Sequence, residues 1–335
     1  MEEEGFLLTG LPVETLAACP ICGCTESAPV LTYPGVFMAD GQMRIVRCAA
    51  CSVVYLNPRL THESTVAVEA ESEVYDFSAD VAEERIAALQ PLLEHLQRFS
   101  SRRGRLLDIG CNRGLLLEAA RRMGWDVVGI ELSPVAAQRA RDEYGLEVYG
   151  QFEDVLALEP FDLVTAWHVL EHTPDPVAFL RQVGTIMRPD GMLAVQVPSF
   201  DFVEEFKRRG NISHIVCEVH TFHFTTDSIQ TVFAKAGLEP IALRNDPNDL
   251  LLTVLATQHR SGSSAKVSAS LPDPFTVPEA APSEHLAAIN ADLHRQLAEM
   301  ERLLAAKNNH IVYLEGLIKQ IERGRVMRML RRWRL

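Results

Sequence analysis

Four cysteines stand at a spacing suited to a metal. Cys19 and Cys22 form one CxxC pair and Cys48 and Cys51 a second, with 25 residues between the pairs. Four thiolates so placed surround Zn²⁺ tetrahedrally and leave no open position for catalysis, so the expected role is structural. The metal would supply folding energy that a module of this size lacks in its own core. Cys24 is a spare thiol beside the first pair, while Cys111 and Cys217 lack partner spacing and read as small core residues. The count of seven is odd, and the N-terminus, MEEEGFLLTG, is acidic where a secretory leader would be basic and then apolar. Both facts argue against a disulfide framework and for a cytoplasmic protein.

The stretch LLDIGCNRGLLLEAA reads as strand, loop and helix, which marks a ligand crevice at the strand's carboxyl end. Only Gly110 and Gly114 of a dinucleotide fingerprint are present, with Asn112 where a central glycine often sits. Asp108 ends the strand, a poor neighbour for a pyrophosphate and a good one for a cation. Glu131 ends the next strand, placed to accept both hydroxyls of a ribose. S-adenosylmethionine, with its sulfonium, ammonium and ribose, satisfies both acids.

A second group follows the apolar strand FDLVTAW. His168 stands at its carboxyl end, with Glu171 and His172 close behind in WHVLEH. If a helix starts there, 168, 171 and 172 share one face. Later, CEVHTFHFT brings His220 and His223. Two chemistries are open. A histidine, His168 first and His220 second, removes a proton from an acceptor hydroxyl. Alternatively Glu171, His172 and a histidine of the 220–223 loop ligate a divalent metal that lowers the hydroxyl's pKa. HTFHFT also reads as a strand with one face on a core.

LLDIGCNRG, GIELS, FDLVTAWHVLEHTPDP and MRPDG together resemble the class I S-adenosylmethionine-dependent methyltransferases. CPICG and CAACSVVYLNPR are similar to the zinc-binding module found in one branch of them, so the likeness runs over residues 19–257. It implies that Asp108 and Gly110 hold the methionine part of the cofactor and Glu131 the ribose. The usual adenine-contacting acid is replaced by Gln151, which can accept from the adenine amino group, and Phe152 can stack on the ring. The metal alternative resembles the E-x-x-E-H pattern of the small-RNA 2′-O-methyltransferase and the ubiquinone-pathway O-methyltransferase, with His168 in place of the first acid.

The elements that must position these residues alternate strand and helix over 104–257. RLLDI, WDVVGIE, LEVYG, FDLVTAW, MLAVQVP, PIAL and LLTVLAT read as strands; LLLEAARRM, PVAAQRARDEY, DPVAFLRQVGTIM and DSIQTVFAKAG read as helices. The last two strands, with no helix between them, suggest an antiparallel hairpin. The expected fold is α/β, a Rossmann-like class I methyltransferase sheet with a small N-terminal zinc ribbon (1–60), a helical connector (61–103) kinked at Pro91, and a C-terminal coiled-coil helix. Residues 258–284, rich in Ser, Pro and Ala, read as a disordered linker.

Over 285–322, Leu286, Leu293, Met300, Lys307, Leu314 and Ile321 fall at d and Asn290, Leu297, Leu304, Ile311 and Ile318 at a. That pattern predicts a coiled coil, and Asn290 a parallel homodimer. The tail, 323–335, carries six Arg and no acid, with Trp333 among apolar residues, which suits contact with the inner membrane face. No apolar run reaches transmembrane length. A net charge of −13 argues against nucleic acid as a partner. The function expected is methyl transfer to a small-molecule or glycan acceptor, in sugar or surface-polysaccharide synthesis by analogy. Its rivals are a coiled-coil adaptor with a degenerate domain, permitted by Asn112 and Gln151, and an RNA or ubiquinone-pathway-type O-methyltransferase.

Overall fold

The computed structural model describes residues 11–258 except 36–37, 39–40, 71–77, 100–102 and 211. The expected linker, coiled coil and basic tail, and with them the dimer and membrane contacts, lie outside the described residues.

The elements run β1 (Val13–Glu14), β2 (Ser27–Pro34), β3 (Gln42–Cys48), β4 (Val54–Leu56), β5 (Arg59–Leu60), α1 (His62–Ala70) and α2 (Ala79–Gln97). Then come β6 (Arg105–Ile109), α3 (Leu115–Arg122), β7 (Asp126–Ile130), α4 (Pro134–Tyr144), β8 (Val148–Tyr149), β9 (Phe161–Trp167), α5 (Pro176–Ile186) and β10 (Met187–Pro198). The chain continues through α6 (Val203–Arg209), β11 (Phe222–His223), α7 (Thr226–Ala236), β12 (Leu238–Asp246) and β13 (Leu251–Gln258).

The main sheet has the order β12-β13-β10-β9-β6-β7-β8. Strands β10, β9, β6, β7 and β8 are parallel neighbours, while β13 runs antiparallel to both β10 and β12. This is the Rossmann-like methyltransferase sheet that the sequence pattern predicts. The expected hairpin forms, with β13 inserted between β10 and β12. Helix starts are specified locally. Ser133 and Asp175 cap α4 and α5 through the amides of Ala136 and Ala178, each with proline at the first turn.

Alternating side chains feed two cores. Leu107, Ile109, Val164 and Val195 pack with Leu180 and Val183 of α5 and Val232 and Phe233 of α7. Leu106, Leu163 and Ala194 pack on the other face with Leu117 of α3, Ala137 and Ala140 of α4, and Ile86, Leu93 and Leu96 of α2. Helix α2 is therefore a layer of the main domain and no mere connector. It continues through Pro91.

The cysteine module is likewise not free-standing. Its sheet has the order β11-β4-β3-β2, so its last strand is donated from residues 222–223. One face, with Met43, Ile45, Val54 and Leu56, shares a third core with Phe200, Phe206, Ile212, Ile215 and Val216. The other face, with Cys19, Cys48, Val53 and Tyr55, joins the first core beside Phe222 and Phe224. A boundary at residue 60 thus divides one continuous apolar interior, and the module does not rely on metal alone for its core.

Candidate active site and metal centre

The loop between β6 and α3 has three residues in the left-handed region: Gly110 at φ +75°, Asn112 at +48° and Gly114 at +80°. Asparagine tolerates that conformation better than other side chains, so Asn112 can stand where glycine is commoner. Its Oδ1 accepts from Arg113 N at 2.8 Å. The glycines have a second constraint. A Cβ on Gly110 would meet Val169 Cγ2 at 2.6 Å, and one on Gly114 would meet Leu146 Cδ1 at 2.4 Å.

Glu131 ties the loop to the next strand. Its carboxylate accepts from Asn112 N and Ser133 N, both at 2.8 Å, while its side chain lines a cavity at the carboxyl ends of β6, β7 and β9. Asp108 does not line that cavity. It is 3% exposed, and its Oδ1 accepts from Thr165 Oγ1 at 2.6 Å. Burial raises its pKa to about 7, against the Thr165 bond and with help from the Glu131 charge.

The cavity holds about 1930 Å³, roughly twice the upper end of ordinary small-molecule pockets and enough for two ligands side by side. Gly110, Asn112, Glu131, Gln151 and Phe152 line one half. Leu132, also in the wall, is 43% exposed, and Phe152 meets Phe179 edge-on at 6.5 Å. Leu132, Phe152 and Phe179 give this half of the wall apolar and aromatic surface on which a flat ring can lie. The residues present thus suit S-adenosylmethionine: a carboxylate for the ribose and apolar surface for adenine.

The other half carries the histidines. No α-helix starts at His168. A 3-10 turn spans Leu170–His172, and His168 itself sits at φ +55°, its amide donating to Gln196 O at 2.8 Å. A non-glycine residue held there carries strain of roughly 1–3 kcal/mol, a pattern found at functional positions. The turn brings His168 Nδ1 to 3.3 Å from Glu171 Oε1; the His168 side chain is 48% exposed and that of Glu171 only 2%. Burial would raise the Glu171 pKa, but His168, His172 and His220 outweigh it and hold the carboxyl below its usual range. Glu171 is therefore an anion among imidazoles.

His172 and His220 line the cavity, their rings edge-to-face at 4.7 Å. His220 Nδ1 lies 2.9 Å from Ile215 O, which leaves Nε2 as the lone-pair nitrogen. Ligand atoms of Glu171, His172 and His220 all lie within 4.8 Å of one another. His223 departs from expectation. It is a residue of β11, 2% exposed, against the Phe200 ring at 5.3 Å and outside the cavity wall. Burial drives its pKa down to about 3, so it is a neutral core residue. The strand reading of HTFHFT holds for His223, whereas His220, just before that strand, faces the cavity.

The four cysteines of the two CxxC pairs converge. Cys19 Sγ and Cys51 Sγ are 3.6 Å apart, Cys22 Sγ and Cys48 Sγ 3.5 Å, and all four lie within 4.8 Å of one another. Zinc–sulfur bonds of about 2.3 Å in a tetrahedron separate the sulfurs by about 3.8 Å, so the cage has the right size. Burial raises Cys48, but the amides of Cys51 and Ala50 and the neighbouring thiols overcome it and lower the group to about 6. Cys24 points elsewhere, donating to Glu26 O at 3.6 Å.

Sequence reasoning missed Leu132, Trp167, Phe179 and Phe206 of the wall. Leu132 follows the strand-end acid directly, a signal that was present; Phe206 lies on α6, a seven-residue helix too short to show a period.

Residues 81–243 match the methyltransferase-domain family. A ubiquinone biosynthesis O-methyltransferase from Xanthomonas euvesicatoria pv. vesicatoria is 37% identical over 127 residues, covering 35% of this chain and 53% of that protein. One from Azorhizobium caulinodans is 44% identical over 98 residues, covering 27% and 39%. The chain thus spans about half the length of the curated relatives it matches, or less. An S-adenosylmethionine-dependent methyltransferase structure from Clostridium acetobutylicum aligns with a TM-score of 0.42 at 11% identity, over 59% of this chain and 97% of that one.

Proposed function

We propose that the S-adenosylmethionine-dependent methyltransferase domain of this chain, residues 81–243, methylates a hydroxyl oxygen of an uncharged small molecule, with His168 as the base. The observation that carries this reading is the His168–Glu171 pair, with His168 on the cavity wall and Glu171 buried behind it. S-adenosylmethionine supplies a methyl group already activated on a sulfonium. The protein need only orient the acceptor, exclude water and take the proton. Glu171, buried and anionic, lies with its Oε1 3.3 Å from His168 Nδ1 and favours the tautomer protonated there, which leaves Nε2 to receive the acceptor's proton. The imidazolium so formed stays paired with the carboxylate. Trp167 and Phe206 offer apolar surface to the acceptor.

The charge of the wall supports an uncharged acceptor. Among the described residues its lining includes Glu131, Glu153, Asp175 and Asp249 and one strong cation, Arg139. A nucleotide-linked sugar or an RNA would bring phosphates that meet no Arg or Lys pair among the described lining residues. Of the expected acceptors, a neutral hydroxyl compound therefore ranks above a glycan nucleotide. The relatives named as ubiquinone biosynthesis O-methyltransferases agree with oxygen as the methylated atom. The adaptor reading loses support because Asn112 occupies a glycine-like conformation without disrupting the loop.

One observation favours a second reading. Neither Glu171 oxygen has a hydrogen bond of normal geometry, although both are buried. Glu171, His172 and His220 would hold a divalent cation, which would lend Lewis acidity to the acceptor hydroxyl. The four-cysteine cage, in either case, is assigned a structural zinc.

The test is His168→Ala. S-adenosylmethionine binding by calorimetry should be unchanged and turnover of a hydroxyl acceptor should fall by about 10²–10⁴-fold. Undiminished turnover would remove the base.

A further inference from the structure

The two halves of the cavity are anchored differently. The cofactor half belongs to the main sheet: Gly110 N and Cys111 N donate to Ile130 O, at 2.8 and 3.0 Å. The acceptor half starts from the main sheet at His168, whose amide donates to Gln196 O, and is tied on its other side to the cysteine module. Cys48 ends β3, and its amide donates to Val53 O at 2.9 Å, setting the entry to β4. Strand β4 then pairs with β11, Val54 opposite His223 and Tyr55 opposite Phe222.

Thr221 is the point where the module reaches the catalytic turn. Its carbonyl accepts from Leu56 N at 3.0 Å. Its hydroxyl, 2% exposed, donates to Thr173 O at 2.8 Å and Glu171 O at 3.1 Å. One residue thus grips β4 on one side and the backbone of Glu171 on the other. Two further ties run the same way. Arg59 Nη1 donates to Pro174 O at 3.0 Å. His220 is bonded to the carbonyl of Ile215, whose side chain is buried with Met43, Ile45 and Val54 of the module.

We infer that the cysteine module is the positioning element of the acceptor half of the site, acting through Thr221 on the Glu171–Thr173 turn, so that metal in the cysteine cage controls acceptor chemistry without controlling cofactor binding. This deepens the functional reading above and rests on it for the word acceptor. Thr221 is a positioning residue: it touches the backbone of the turn and leaves proton transfer to His168. A buried hydroxyl donor lost while two carbonyls remain leaves both short of a partner, which loosens the turn.

The experiment is hydrogen–deuterium exchange of the full chain, read by peptide, on wild type, Thr221→Val, Thr221→Ser and chelator-stripped wild type. It needs no acceptor, so it is independent of whether any hydroxyl compound is turned over. Thr221→Val should raise uptake in peptides covering 168–175 and leave 105–131 at the wild-type level; Thr221→Ser should restore protection. Stripping should raise uptake in 168–175 and 212–224, again sparing 105–131. S-adenosylhomocysteine affinity should stay within about twofold in all four samples. With an acceptor in hand, Thr221→Val should lower kcat by about tenfold while the KM for S-adenosylmethionine stays constant. Unchanged uptake in 168–175, a rise spread evenly over 105–131, or a serine variant no better than valine would overturn the proposal, while absence of turnover with protection behaving as described would instead overturn the hydroxyl-acceptor reading.

Discussion

Thr165 Oγ1 donates to Asp108 Oδ1 at 2.6 Å, turning the acid at the end of β6 into the sheet, away from the cavity. The two residues face each other across neighbouring parallel strands, β6 and β9. The acid is thus a buried group beneath the glycine loop, and burial together with the Glu131 charge raises its pKa from 3.8 to about 7.

The sign of the consequence is fixed by linkage. A carboxyl whose pKa is higher folded than unfolded stabilises relative to its ionised form below the unfolded value, and that benefit is lost as pH rises through the folded value. Asp108→Asn keeps an acceptor for Thr165 and removes the charge. Its melting temperature should match wild type near pH 4 and exceed it progressively up to pH 8, by an amount on the order of 1–3 kcal/mol in stability. In the same variant S-adenosylmethionine should bind about tenfold more weakly, since a cation near the loop draws on the ionised acid. Equal melting curves across the pH range would refute the buried carboxyl.

A histidine base must be neutral to accept a proton, so turnover should fall on the acid side of its profile. Glu171→Gln keeps the shape and removes the anion that stabilises the imidazolium. The variant should lose about 10²-fold in kcat with little change in acceptor KM. Undiminished kcat would exclude Glu171 as the partner of the base. Chelator sensitivity of kcat at an intact four-cysteine site would transfer the role to a divalent cation.

Much of the main sheet was readable because its strands are short continuous apolar runs and its helices begin at capping residues, such as Ser133 before Pro134 and Asp175 before Pro176. The loop's departure at Asn112 was readable as a departure; its φ of +48° supplies the reason it is tolerated. The β4–β11 pairing was not readable. It joins residues more than 160 positions apart through two residue pairs, and neither strand is long enough to have a period. For the same reason His220 and His223 could not be separated from sequence: which of them enters the sheet depends on a partner strand in the cysteine module. Asp108 and Glu131 both stand at strand ends, and the cross-strand threonine at 165 distinguishes the buried acid from the half-buried one that lines the cavity.

The cysteine cage should bind one zinc per chain, measured by metal analysis of untreated protein. Cys22→Ser and Cys48→Ser should each bring the stoichiometry near zero. Cys24→Ser should leave it at one, because its thiol is turned to Glu26 O at 3.6 Å. Because the module shares both its faces with cores of the main domain, the cysteine variants should still bind S-adenosylhomocysteine. A Cys24→Ser variant without zinc would require a different ligand set.

Gly110 joins the two halves of the site by close approach alone. A Cβ there would meet Val169 Cγ2 at 2.6 Å, and the backbone sits at φ +75°. Gly110→Ala therefore adds two costs, a left-handed alanine and a clash with the residue between His168 and Leu170. Together they should destabilise the chain by about 1–3 kcal/mol and weaken S-adenosylmethionine binding at least tenfold. The costs are separable. Val169→Ala removes the clashing methyl and leaves the backbone strain, so the double variant should recover part of the lost stability, a positive coupling in a double-mutant cycle. Additive effects of the two substitutions would mean that the loop and the His168 turn do not touch, and that the cofactor and acceptor halves are built independently.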